Sequence, residues 1–284
     1  MTAFAKRNLK LYLRDRAAVI FSLLAVFIVI GLYVLFLGNV YTNDLKDFEG
    51  AEEMMNNWVM AGVLAITSMT TTLGMLGTMV RDKTEGIEKD FYVAPVKNWH
   101  MGAGYMLSAY AVGVCMTFIA LLAAEIYIVA EGGDVMGMQA FLKVSGTILL
   151  TSLMNTTIAL FLVTLFRSMN AYTTASIVLG TLIGFLTGIY LPIGSYPSAV
   201  QWIVKLFPVS HAALIFRNIM MEPVMETAFQ GAPEAVVLEI KEDLGIIYVF
   251  GENELTMEAS LLIMAVIAVV FFFLACLQMS KRRR

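Results

Sequence analysis

Apolar and polar positions segregate along this chain in blocks of about twenty residues rather than with a period of two or four. Six long apolar stretches, at residues 17–38, 58–80, 101–130, 141–166, 171–191 and 257–279, are separated by short charged pieces. Each stretch reaches the roughly 20 residues that a helix needs to cross the hydrocarbon core of a bilayer. With no water there to satisfy backbone amides, each segment must close its own hydrogen bonds as a helix. The pattern predicts an all-α polytopic membrane protein with six transmembrane helices.

The pieces between the spans alternate in sign. If the N-terminus is cytoplasmic, only Lys46, Lys143, Lys205, Arg217 and Lys241 of the 19 basic residues fall outside; Lys6, Arg7, Lys10, Arg14, Arg16, Arg81, Lys83, Lys89, Lys97, Arg167 and the 281–284 KRRR tail fall inside. Acidic residues show the opposite bias, with Asp44, Asp47, Glu49, Glu52 and Glu53 in the first outer loop, Glu131 and Asp134 in the second, and an acidic run between Glu222 and Glu258 in the third. The positive-inside rule therefore places both termini in the cytoplasm. Residues 1–16 read as an interfacial helix, with Phe4, Leu9, Tyr12 and Leu13 offered to lipid and Lys6, Arg7, Lys10 and Arg14 to headgroups. Lacking a cleavable signal layout, the first span is expected to be retained.

Residues 17–284 then form one membrane unit. Residues 81–100 make its longest inner loop, and residues 192–217 carry Pro192, Gly194, Pro197 and Pro208 between short apolar runs. A nine-residue run there cannot span, and a full crossing would put the KRRR tail outside, so a re-entrant hairpin entering from the outer face is expected. Residues 218–256, polar and acidic, read as a small outer subdomain. At 59% hydrophobic and 14% charged, with a mean hydropathy of +0.78, the chain has little left for a soluble domain. The net charge of −3 is the residue of a basic inner and an acidic outer face and carries no case for nucleic-acid binding. Cys115 and Cys276 both fall inside spans, as apolar filler.

Several side chains inside the spans could carry function. Gly180, Gly184 and Gly188 form a GxxxGxxxG stripe in the fifth span, expected to pack against another helix. Thr67, Thr71 and Thr78 line one small, mildly polar face of the second span; such hydroxyls can meet substrate or bond to their own backbone carbonyls. Asn155 and Thr156 read as interhelical glue. Glu125 is the one carboxylate well inside a span, close enough to the outer boundary to favour an interfacial role over a proton relay. HExxH, GxSxG and GxxxxGK[ST] are all missing from the sequence, so no protease, hydrolase or phosphate-loop ATPase chemistry is expected and no metal or catalytic residue is assigned.

The inner loop beginning Arg81-Asp82-Lys83-Thr84-Glu85-Gly86-Ile87-Glu88 resembles the loop between helices 2 and 3 of ABC type-2 export permeases: an acidic-basic pair, a Gly, a short amphipathic helix and then Pro95, with Ile87 where the family more often has Thr or Ser. Lys6-Arg7-Asn8-Leu9 with Arg14-Asp15 is similar to the family's N-terminal helix. Leu191-Pro192, Tyr196-Pro197, Pro208 and Arg217 resemble its broken segment after helix 5. The resemblance implies a dimer of six-helix permeases, identical or homologous, in a bacterial cell membrane and in contact with its lipids. It also implies separate cytoplasmic ATP-binding-cassette subunits that hold ATP and Mg, this chain binding no cofactor. Glu85, Gly86, Glu88, Lys89, Phe91 and Tyr92 would belong to a coupling helix seated in a groove of the ATPase. Helices 1, 2 and 5 would border the pathway, with Tyr190 and Leu191 near its outer gate. The function so implied is ATP-driven export of an amphiphilic substrate such as a drug, antimicrobial peptide or lipid. A secondary transporter or a non-transporting scaffold stays open as the alternative.

Overall fold

The computed structural model describes residues 2–33, 50–93, 98–251 and 253–281. It is an all-α protein built around one buried helix. An N-terminal helix α1 (Thr2–Arg14) leads into α2 (Arg16–Leu32), which begins the first apolar stretch; residues 34–38 of that stretch lie outside the described part. Then come α3 (Ala51–Thr84), a short α4 (Ile87–Val93), α5 (Asn98–Ala130), α6 (Met138–Leu165), α7 (Met169–Leu186), α8 (Ser198–Leu206), α9 (Pro208–Ala228), α10 (Glu234–Asp243) and α11 (Met257–Lys281). A single 3-10 turn, Ile193–Ser195, sits between α7 and α8. Strands β1 (Tyr248–Phe250) and β2 (Asn253–Leu255) pair antiparallel, Tyr248 opposite Leu255, in a small hairpin just before α11.

Among the described residues, α3, α5, α6, α7 and α11 are each long and apolar enough to cross a membrane. Helices α8 and α9 pass that test only together, and they meet at 85°. The bend falls at Phe207, where Pro208 opens the next helix: its fixed φ and missing N–H suit a first helical position and cannot continue the preceding one.

Helix α3 is buried on nearly all sides and 34 residues long. At 1.5 Å per residue it extends about 50 Å, against a hydrocarbon core of about 30 Å. It packs against α2, α5, α6, α7 and α9, which leaves Trp58, Met60, Leu64 and Leu76 fully buried. Its ends overrun the predicted span because the flanking polar residues suit helix termini: Glu52 and Glu53 lie in the first turn and Arg81 and Lys83 in the last, each matching the helix dipole. Small residues bring neighbours close. A side chain at Gly113 of α5 would lie 2.7 Å from Thr72 Oγ1 and one at Gly62 would lie 3.2 Å from Ile189.

Two expectations are corrected here. Helix α1 does not lie free in the headgroups: Ala5, Asn8 and Tyr12 are buried against the rest of the chain, and of the expected lipid-facing residues Leu13 alone is strongly exposed, at 59%. The amphipathic pattern is real, but its inner face meets protein, chiefly α5. Helix α9 also continues past Arg217 to Ala228, through Pro223, so the polar subdomain starts later than residue 218. Ile219, Met220 and Met221 explain this, since their burial carries the apolar face of α9 onward against α3 and α6.

Candidate functional site

At the basic end of the bundle, α3 stops at Glu85 and the chain reverses through Gly86, whose φ of 75° is a left-handed conformation that favours glycine. The Glu85 N–H donates to the Arg81 carbonyl at 2.9 Å and the Lys89 N–H to the Gly86 carbonyl at 3.0 Å, which fixes α4 directly against the end of α3. Glu85, Lys89 and Asp90 are exposed, and Glu88 is half-buried. Phe91 turns inward and meets Phe4 of α1 edge-on at 5.1 Å between ring centroids. Its ring also lies 5.1 Å from the Arg7 guanidinium carbon. The expected apolar face of this helix is thus used at Phe91 within the chain, leaving charged groups at the surface. Tyr92 belongs to α4, but its side chain and Pro95 lie outside the described part.

Beneath α4 lies a buried ionic knot. Asp82, 1% exposed, accepts from Arg7 Nη1 at 2.6 Å and Nη2 at 3.1 Å, and from the Tyr105 hydroxyl at 2.6 Å. Arg7 also donates to Asn8 Oδ1 at 3.0 Å. The bond to Asp82 raises the pKa of the Arg7 guanidinium further above its ordinary value. Phe4 meets the Tyr105 ring edge-on at 5.0 Å. The knot ties α1, α3 and α5 together directly behind α4. Lys83 Nζ adds α6 by donating to the Phe166 carbonyl at its C-terminus, 3.1 Å away. Sequence reasoning singled out Arg7 and Asp82 as motif positions but assigned Tyr105 nothing.

Within the core, Thr67 and Thr71 are fully buried and donate to the carbonyls of Val63 and Thr67, both at 2.7 Å; Thr78 donates to Met75 at 2.8 Å. Their hydroxyls serve their own helix. The glue expected of α6 is present at Asn155, whose Nδ2 donates to Ser68 Oγ at 3.1 Å beside a Ser68–Ser152 hydroxyl pair at 3.2 Å. The Thr156 hydroxyl instead donates to its own helix at the Ser152 carbonyl, 2.6 Å away.

The glycine stripe divides into three roles. Gly188 is not on the helix: it follows the C-cap Thr187 with a φ of 70°, its N–H donating to the Phe185 carbonyl while Ile189 N–H donates to the Gly184 carbonyl, the Schellman arrangement that ends α7. Gly184 makes room for the folded-back Tyr190 ring, which a side chain there would overlap. Gly180 faces open space. The stripe therefore shapes a turn more than it joins two helices. Tyr190 also stacks edge-on with Phe185 at 5.1 Å, and Leu191 is 40% exposed just beyond it.

Behind that turn Arg217 is completely buried. Its Nη2 donates to the Thr187 carbonyl at 3.0 Å, its guanidinium lies 4.5 Å over the Trp58 ring, and Nε and Nη1 have no partner among the described residues. Trp58 Nε1 donates to the Leu244 carbonyl at 2.7 Å. One cation thus caps α7 and, through Trp58, meets α3 and the segment after α10. Lys205 binds that segment as well, donating to Glu242 at 3.0 Å and to the Val249 carbonyl at 2.9 Å. Nearby Asp243 has its carboxyl pKa raised, first by burial and then by Glu239 and Glu242.

The model of the ABC-2 type transporter family matches residues 1–221, which include the knot, the α3–α4 turn, the Schellman turn and Arg217. The chain belongs to that family. A comparison with curated proteins gives no match. As an ABC-2 permease, the protein is the multi-pass membrane component of an ABC transporter and not its ATPase.

Proposed function

We propose that this permease is the transmembrane half of an ATP-driven exporter of amphiphilic molecules, acting as a dimer on two ATP-binding-cassette subunits. The single observation that carries the coupling part of this reading is the build of the basic end: an exposed, charged α4 backed by the Arg7–Asp82–Tyr105 knot. A push on α4 meets α1 through Phe91 and α3 through the Gly86 turn, so it cannot be absorbed as local loop motion. The end bearing α4 is then cytoplasmic, in keeping with its basic charge. ATPase closure on α4 would bias the bundle between two packings, inward-open and outward-open. At the other end, Tyr190, Leu191 and the bent α8–α9 pair form the outer gate, the pair entering from outside without crossing.

The test is to reverse both carboxylates of the proposed contact. Each rim charge pair contributes about 0.2–1 kcal/mol, and reversal replaces attraction by repulsion, so Glu85→Lys with Glu88→Lys should weaken ATPase association by about tenfold, roughly 1.4 kcal/mol. Substrate-stimulated ATP hydrolysis should fall with it while membrane insertion stays unchanged. Full coupling in the double variant would remove α4 from the contact.

A further inference from the structure

A narrow apolar groove opens at the basic end of the bundle, between the start of α5 and the end of α11. Both helices pack on α6, whose buried Leu160 lines the groove between them; Ala103 and Met106 belong to one wall, Phe272 and Cys276 to the other. Gly102 lets the walls meet near the helix ends, where a side chain on it would lie 2.6 Å from Met279 Cε. The groove holds about 240 Å³, below the roughly 300–1,000 Å³ of sites for drug-sized molecules. No carboxylate lines it. Beyond its walls lies more exposed apolar surface, with Leu107 on α5 and Phe273 and Leu277 on α11.

The mouth of the groove has a different chemistry. Trp99, 59% exposed, and the exposed Ser280 lie there and bring an indole N–H and a hydroxyl. A tryptophan at the end of a span, where apolar surface gives way to charge, occupies the position of an interfacial anchor. Directly after Ser280 the sequence reads Lys281-Arg282-Arg283-Arg284. Lys281 closes α11, and residues 282–284 lie outside the described part. Four residues reach at most about 14 Å along the chain, so these cations stay close to the mouth whatever path they take. An apolar slot too small for a drug-sized molecule, open to hydrocarbon and ending at a run of cations, fits an acyl chain with an anionic head. A second copy of this chain does not fit, because two-fold pairing sets a patch against itself and would bring two runs of four cations together.

We infer that the α5–α11 groove binds an anionic phospholipid of the inner leaflet, one acyl chain lying over Leu160 and the phosphate held by Ser280 and the basic run. Helix α11 lies beyond residue 221, so membership of the family does not assign this groove. The site needs neither an ATPase nor a transported substrate and is independent of the export reading. That the leaflet is the inner one follows from the charge-derived orientation.

The experiment is photocrosslinking of the full chain in phosphatidylcholine nanodiscs, which present both membrane faces. They are doped, at one low mole fraction, with phosphatidylglycerol or phosphatidylcholine carrying a diazirine on the same acyl chain, and adducts are located by peptide mass spectrometry. The anionic probe should label Ala103, Met106, Cys276 and Met279 at least about tenfold more than the zwitterionic one, a preference that two engaged cations suffice to produce. The excess should shrink as salt is added. Leu262 and Val266, exposed on the other half of α11, should take up both probes equally. Replacing all four cations, as Lys281→Gln, Arg282→Gln, Arg283→Gln and Arg284→Gln, should abolish the excess at an unchanged melting midpoint. Ala103→Trp should fill the groove and remove labelling of Cys276 and Met279 by either probe while leaving every charge in place; Cys276→Trp, from an exposed position on the opposite wall, should do the same at Ala103 and Met106. Equal labelling of the groove by the two probes, or an anionic excess that survives loss of the four cations, would overturn the proposal.

Discussion

Asp82 shows how much one residue can hold when charge is buried. It sits at 1% exposure with three hydrogen bonds from two partners, and the bidentate fork of Arg7 supplies two of them. Taking a carboxylate out of water costs several kcal/mol, and removing its partner leaves that cost uncompensated, typically by 3–5 kcal/mol for a fully buried pair. Arg7 is 30% exposed and Tyr105 would remain, so Arg7→Ala should destabilise the detergent-solubilised protein by about 2–3 kcal/mol. Tyr105→Phe, which removes one bond to a charged acceptor, should cost about 1.5–3 kcal/mol. Arg7→Lys should recover only part of the Arg7→Ala loss, because an ammonium cannot offer two parallel donors. Thermal melting of the three variants checks the order; an Arg7→Ala protein as stable as the parent would mean the knot is a surface pair of no consequence.

At the scale of elements, the end of α7 separates what spacing can reveal from what it cannot. A four-residue glycine repeat looks the same whether a helix continues through it or stops inside it, and here it stops, with Gly188 in the left-handed region and Gly184 under the Tyr190 ring. An L-residue forced into that conformation costs about 1–2 kcal/mol, so Gly188→Ala should lower the melting temperature. Gly180→Leu, at an open position, should leave protomer stability unchanged and should reduce dimer cross-linking only if this face meets a second protomer. Equal effects at both sites would restore the continuous stripe. The spans themselves were legible because lipid permits a buried backbone few alternatives to the helix. The break at Pro208 was legible because proline constrains its own φ. By contrast, the docking of α1 was hidden: Arg7 and Asp82 are 75 residues apart, and nothing local in the sequence says that a basic amphipathic face is satisfied by protein rather than by headgroups.

For the whole molecule, the charge asymmetry that orients the bundle yields a direct check. Single cysteines replacing Lys89 and Glu239 should differ in intact cells, the first protected from an impermeant thiol reagent and the second labelled; the reverse pattern would invert the protein in its membrane. Between those two faces runs α3, which contains no proline between Ala51 and Thr84. Glu53 and Asn57 lie near one end and Asp82 of the ionic knot near the other. A hydrogen-bonded rod of that length resists stretching far more than it resists leaning. Tilting it by about 10° around one end displaces the other by about 9 Å, given a length near 50 Å. A force applied at one end of α3 would therefore be felt at the other, as two hands on one crank work against each other's grip.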